Sequence, residues 1–107
     1  MEREVAFEKR EGELAVRLRV EIDHHSAKRI RERIDTELFR EKPGLLVLDF
    51  SQVSFMDSSG IGLIIGRADI CREIGGRVKL TGLSGSIAKV VRLSGIEKIN
   101  NVFISDV

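Results

Sequence analysis

The chain has 107 residues and a mass of 12.0 kDa, and 42% of it is apolar, enough for the core of one ordinary domain and not for two. Its 18 basic and 17 acidic residues leave a formal net charge of +1, and Trp and Tyr are absent. That balance argues against a general electrostatic grip on nucleic acid or acidic lipid, the scarcity of rings, only five Phe, against a base-stacking surface, and the single Cys71 against a disulfide scaffold.

Val5 and Phe7 alternate with charged residues up to a turn at Glu11-Gly12. Beyond it Leu14, Val16, Leu18, Val20 and Ile22 repeat with a period of two, so the two segments predict an antiparallel hairpin with one wet face. The period then lengthens: Ala27, Ile30, Ile34 and Leu38 predict an amphipathic helix running to Lys42 and stopped by Pro43-Gly44. Ser26 is a candidate cap for it. Lys28/Glu32, Arg31/Asp35 and Arg33/Glu37 stand four apart on its outer face.

Leu45 to Leu48 is a short unbroken apolar run, which predicts a central strand buried on both faces. A second helix is expected from Ser58 to Gly75-Gly76, a strand at Val78 to Thr81, a third helix from Ser84 to Leu93, and a last strand at Val102 to Ile104. The order β-β-α-β-α-β-α-β specifies a single α/β domain over residues 1–107. Its mixed sheet would open with an antiparallel hairpin and continue with parallel strands joined by crossover helices. Neither Met1-Glu2-Arg3-Glu4 nor any later run offers a leader or the roughly 18 apolar residues of a membrane span, so a reducing, cytoplasmic setting is expected.

The segment Phe55-Met56-Asp57-Ser58-Ser59-Gly60-Ile61-Gly62-Leu63 lies where the central strand turns into the second helix. Loops at the carboxyl ends of parallel strands are where α/β sheets build their sites. Asp57 or Ser58 can cap the helix, and its N-terminal dipole favours an anion beside the two hydroxyls. Ile61, Ile64, Ile65, Ala68 and Cys71 form one apolar stripe at helical spacing, with Cys71 as a small buried hydrophobe and Leu63 outside the stripe. Leu63 therefore either joins an exposed docking patch beside the serines or packs on a neighbouring element. Gly60, Gly62 and Gly66 would let another surface approach closely.

No enzyme motif fits. Met56 and Asp57 stand where a nucleophile elbow needs glycine, and Gly60-Ile61-Gly62 is followed by glycine one position too late for a dinucleotide fingerprint. His24 and His25, adjacent in sequence and without a cysteine cluster, make a poor metal site, and no cofactor is expected.

Together with Glu21-Ile22-Asp23-His24-His25, Ile74-Gly75-Gly76 and Ser94-Gly95-Ile96, this segment resembles the STAS-domain anti-sigma factor antagonists, most of all the sporulation type. The likeness covers nearly the whole chain; Val20 departs from it, standing where the family often has glycine. It implies a partner switch and no catalysis. The unphosphorylated antagonist would bind an anti-sigma factor that is also a serine kinase of the histidine-kinase-like ATPase superfamily, and so release the sigma factor. Phosphorylation would end the binding, and a serine phosphatase would restore it. By position the acceptor is Ser58, with Asp23, Asp57, Ser59, Gly60, Ile61, Gly62 and Leu63 as the other partner-binding residues. Charge alone does not separate Ser58 from Ser59. A monomer is expected. The alternatives are a stress-signalling regulator on the same fold, or a small serine hydrolase, which would need His24 or His25 within about 3 Å of the Ser58 hydroxyl.

Overall fold

The computed structural model describes residues 4–105; Met1 to Arg3, part of the segment read above for a leader, lie outside them. Strands β1 (Val5–Arg10) and β2 (Glu13–Leu18) pair antiparallel, with Val5 opposite Leu18 and Arg10 opposite Glu13. Gly12 closes their turn at φ +72°, a left-handed conformation open to a residue without a Cβ. Then follow α1 (His24–Glu41), β3 (Leu45–Asp49), α2 (Ser58–Glu73), β4 (Arg77–Thr81), α3 (Gly85–Leu93), a 3-10 turn over Ile96–Lys98, and β5 (Val102–Ile104). The sheet order is β1-β2-β3-β4-β5, parallel from β2 onward. The expected mixed α/β architecture is what forms.

Because strand order follows chain order, successive right-handed crossovers set the helices on one face of the sheet. On that face Leu14, Val16, Leu18, Leu46, Leu48, Val78 and Leu80 are fully buried. The expectation that β3 is buried on both faces is therefore corrected: Leu45 and Val47, pointing the other way, are only half-buried. The second strand also ends earlier than its alternation suggests, at Leu18, while Ile22 makes a separate parallel bridge to Met56. Val20 sits in the intervening bend without a positive φ, so nothing there requires glycine.

Helix α1 buries Ser26, Ile30, Ile34 and Leu38, and leaves Ala27 half-buried. Lys42, at φ 46°, ends it by donating its amide to Leu38 O at 2.9 Å. None of the three expected pairs along its outer face forms an ion pair; among those charges, Asp35 and Glu37 pair instead with other elements or over three residues. Asp35 meets Arg67 at 2.9 Å, and Glu37 meets Lys9 at 3.1 Å and Arg40 at 3.2 Å. At the far end of α2, buried Asn101 donates to Ala68 O (2.9 Å) and Gly76 O (3.2 Å), tying β5 to the helix. Gly76 is obligatory there, since a Cβ would come within 2.7 Å of Pro43 O. No helix among the described residues is long and apolar enough to cross a membrane.

Candidate functional site

Two loops at the carboxyl ends of β2 and β3 meet through Ile22. Its amide donates to Phe55 O at 2.9 Å and its carbonyl accepts from the Asp57 amide at 3.1 Å. This short parallel pairing sets side by side the residues that start α1 and α2, Asp23 and Asp57.

Each is an N-cap. Asp23 Oδ1 accepts from the amides of His25 and Ser26, both at 2.9 Å, and the Asp23 amide donates to Ser26 Oγ at 3.0 Å. Ser26 is thus the third residue of a capping box rather than the cap itself, and its hydroxyl donates in turn to Glu21 O at 2.6 Å. The backbone hydrogen bond from Ser26, seconded by that from His25, holds the Asp23 carboxyl below its ordinary range. Asp57 Oδ1 accepts from the Ser59 amide at 2.8 Å. One of the orphan donors at the start of α2 is thereby satisfied, and Ser58 becomes the first helical residue.

The two serines are not equivalent. Ser58 is exposed at the positive end of a 16-residue helix dipole. Ser59 is half-buried and lines a groove of about 530 Å³ between α1 and α2, together with His24, Ala27, Lys28, Arg31, Gly62 and Leu63.

Helix α2 is turned differently from the stripe read in the sequence. Its buried side is Gly60, Leu63, Ile64, Arg67, Ala68 and Cys71. Ile65, expected on the core stripe, is 40% exposed, while Leu63 is 4% exposed and packs in the core. Gly60 is buried as well: a Cβ there would overlap the Met56 side chain, so its hydrogen lets Met56 close the loop beneath the serines. A Cβ at Gly62 or Gly66 would meet nothing within 4 Å, and Gly62 is exposed. On an α-helix Ser58, Ile61, Gly62 and Ile65 share one face. Ile61 is half-buried on that face, and Phe55, three residues before Ser58, is 49% exposed. The apolar surface on the Ser58 face of α2 thus comes from Ile61 and Ile65, with Phe55 exposed in the loop before the helix. Helical spacing missed the last two, although the exposed Phe directly before Met56-Asp57 was a usable signal.

A buried ion pair was also unforeseen. Arg67, only 5% exposed, places Nε 2.9 Å from Asp35 Oδ1 and joins α2 to α1 by charge. Desolvation pushes the Asp35 carboxyl up and the Arg67 guanidinium down from their ordinary values, each opposed by the partner's charge. Cys71 lies beside this pair, and burial raises its thiol to about 11.

His24 and His25 are exposed and stand edge to face, with ring centroids 5.6 Å apart. Among the described residues no hydrogen bond joins either imidazole to Ser58. No group of three or more His, Cys, Asp or Glu that could hold a metal ion occurs among the described residues.

Comparison with known proteins agrees with this architecture. The STAS domain pattern matches residues 4–105. The anti-sigma F factor antagonist of Paenibacillus polymyxa is 31% identical over 107 residues, spanning 100% of this chain and 92% of that protein. The anti-sigma factor antagonist SpoIIAA in its unphosphorylated form superimposes with a TM-score of 0.78 at 33% identity, covering 95% of this chain and 88% of that one. The Bacillus cell fate determinant SpoIIAA in its phosphorylated form gives a TM-score of 0.72 at 31% identity, covering 95% and 91%. With the fold, the paired caps and the Asp-Ser-Ser-Gly helix start all in place, this chain belongs to the STAS domain family.

Proposed function

We propose that this protein is an anti-sigma factor antagonist switched by phosphorylation of Ser58. In its unphosphorylated form it binds an anti-sigma factor that is also a serine kinase, releasing the sigma factor that kinase held. Phosphorylation of Ser58 ends the complex, and a serine phosphatase resets it. The single observation that carries this reading is the setting of Ser58. It is the exposed first residue of α2, capped by Asp57, with Ile61, Gly62 and Ile65 on its own helix face. Ser59 is turned into the groove and is the poorer acceptor.

The remaining partner-binding residues divide by exposure. Ile61 and Gly62 offer a flat apolar contact beside the hydroxyl. Asp23, Asp57, Gly60 and Leu63 act by holding the loop and the first turn of α2 in place, through two caps, the Met56 contact and the core. The chain works as one domain, as a monomer in the cytoplasm, and performs no catalysis of its own.

The physics of the switch is local. A phosphoserine brings about −1.5 to −2 charges at pH 7. The helix N-terminus accepts that charge in the free protein. In the complex the same charge must be desolvated against an apolar contact next to the Asp57 carboxylate. A loss of about 3 kcal/mol weakens binding more than about a hundredfold. No refolding is required, in keeping with the likeness of this fold to both forms of SpoIIAA.

Isothermal titration of the anti-sigma kinase from the same genome tests this reading. Ser58→Ala should bind at close to wild-type strength, and Ser58→Asp should bind much more weakly with an unchanged far-UV spectrum. A Ser58→Asp variant that binds like the wild type, or that loses its fold, contradicts the reading.

A further inference from the structure

The groove between α1 and α2 is charged in one sense only. In a chain whose charges nearly cancel, its charged lining consists of Lys28 and Arg31, to which His24 adds an imidazole. Three aspartates of α1, α2 and their caps are already engaged. Asp23 serves the amides of His25 and Ser26, Asp57 serves the amide of Ser59, and Asp35 is held by Arg67 at 2.9 Å. Arg31 acts on Asp35 only through longer-range attraction. Among the described residues neither Lys28 nor Arg31 has a carboxylate within ion-pair distance, whereas Arg29 on the same helix grips Glu4 with two hydrogen bonds of 3.0 and 2.6 Å. The floor of the groove is apolar or small, made by Ala27, Gly62 and Leu63, and Ser59 opens one edge of it next to Ser58.

We infer that this groove receives an acidic segment of the partner protein, with one or more Asp or Glu side chains set against Lys28 and Arg31 and apolar neighbours lying over Ala27 and Gly62. The inference rests on the proposed function and adds to it the chemistry of the partner's contact. The mixed lining favours a peptide surface over a free phosphate. A nucleotide would call for a cradle of backbone N–H groups, whereas the Ser59 amide is taken by Asp57 and the groove wall is side chains. Uncompensated cations at the rim of a contact act mainly on association rate and salt dependence, so the groove would guide a partner toward Ser58 before the apolar face closes.

The test is binding of the purified anti-sigma kinase to full-length wild type, Lys28→Glu, and Lys28→Glu/Arg31→Glu, from ~50 to ~500 mM NaCl. Wild-type affinity should fall as salt rises. The single reversal should weaken binding at low salt, and the double reversal should weaken it by about tenfold or more and flatten the salt dependence, with thermal melting unchanged. Lys28→Glu keeps the test sound if Arg31→Glu disturbs the nearby Asp35–Arg67 pair. Reversals that bind with wild-type strength and salt dependence overturn the inference while leaving the proposed function standing. Wild type that binds no kinase overturns both. Reversals that leave kinase binding intact but abolish binding of ATP by the chain alone would assign the groove to a nucleotide and overturn the acidic-segment reading.

Discussion

Ile22 and Asp57 are joined backbone to backbone: the amide of Asp57 donates to the carbonyl of Ile22 at 3.1 Å, next to the reverse bond from the Ile22 amide to Phe55 O at 2.9 Å. This pairing fastens the loop before α1 to the loop before α2. Two helix starts that lie far apart in sequence thereby become one surface. Ser58 inherits its position from it, so residues on either loop that disturb the pairing should alter the site without touching the hydroxyl.

The orientation of α2 separates two adjacent types of apolar residue. Leu63→Ala removes a core side chain and should destabilise the fold by about 2–5 kcal/mol, seen as an earlier urea midpoint. Ile65→Glu, at a position 40% exposed, should leave the midpoint within about 0.5 kcal/mol and weaken kinase binding. An Ile65→Glu variant that unfolds would place that side chain in the core.

Gly60 and Met56 should behave as a coupled pair. Gly60→Ala forces its methyl onto the Met56 side chain and should cost about 1–3 kcal/mol of stability. Met56→Ala makes room, so the double variant should be more stable than the sum of the two losses. Additive losses in chemical denaturation would show that the two residues do not meet.

The Asp23 cap carries a pH signature. Its carboxyl is held below the ordinary value of 3.8, so the folded state binds this proton less tightly than the unfolded chain does. The contribution is fully present above the unfolded value and is lost as pH falls through the lower, folded one. Asp23→Ala should therefore be less stable than wild type at pH 6, and the gap should shrink in urea titrations carried below pH 3.8. A gap that widens on acidification would contradict the cap.

Cys71, fully buried with its thiol raised to about 11, should be inert. Ellman's reagent at pH 8 should release no thiolate from the native protein, and should report one thiol per chain after denaturation in guanidinium. Rapid native reaction would mean that α2 opens readily from the sheet.

Much of this architecture is legible in the residues. The alternation from Leu14 to Leu18, the 3.6-residue spacing of Ile30, Ile34 and Leu38, and the Gly75-Gly76 stop each specify their element through local chemistry. Asp57 and Ser58 mark the start of α2 in the same way. The rotation of α2 is less legible because the helix is apolar around most of its circumference, and several faces satisfy helical spacing equally well. What decides is tertiary packing: in the rotation that forms, Arg67 faces inward to Asp35, Leu63 lies in the core and Ile65 faces out. The apolar run of β3 misleads for a related reason. Leu45 and Val47 read as buried, yet with the helices on one side of the sheet their face stays half open. The cap of α1 is assigned to Asp23 and not Ser26 only once the bridge at Ile22 fixes where the helix begins.

Phosphate transfer to Ser58 tests the central claim most directly. The protein is incubated with the anti-sigma kinase of its own genome and ATP, followed by intact mass and peptide mapping. A single added phosphate that maps to Ser58 and is absent from Ser58→Ala is the expected result. An unmodified protein under conditions where that kinase is active, or a phosphate that maps to Ser59 and persists in Ser58→Ala, would contradict it.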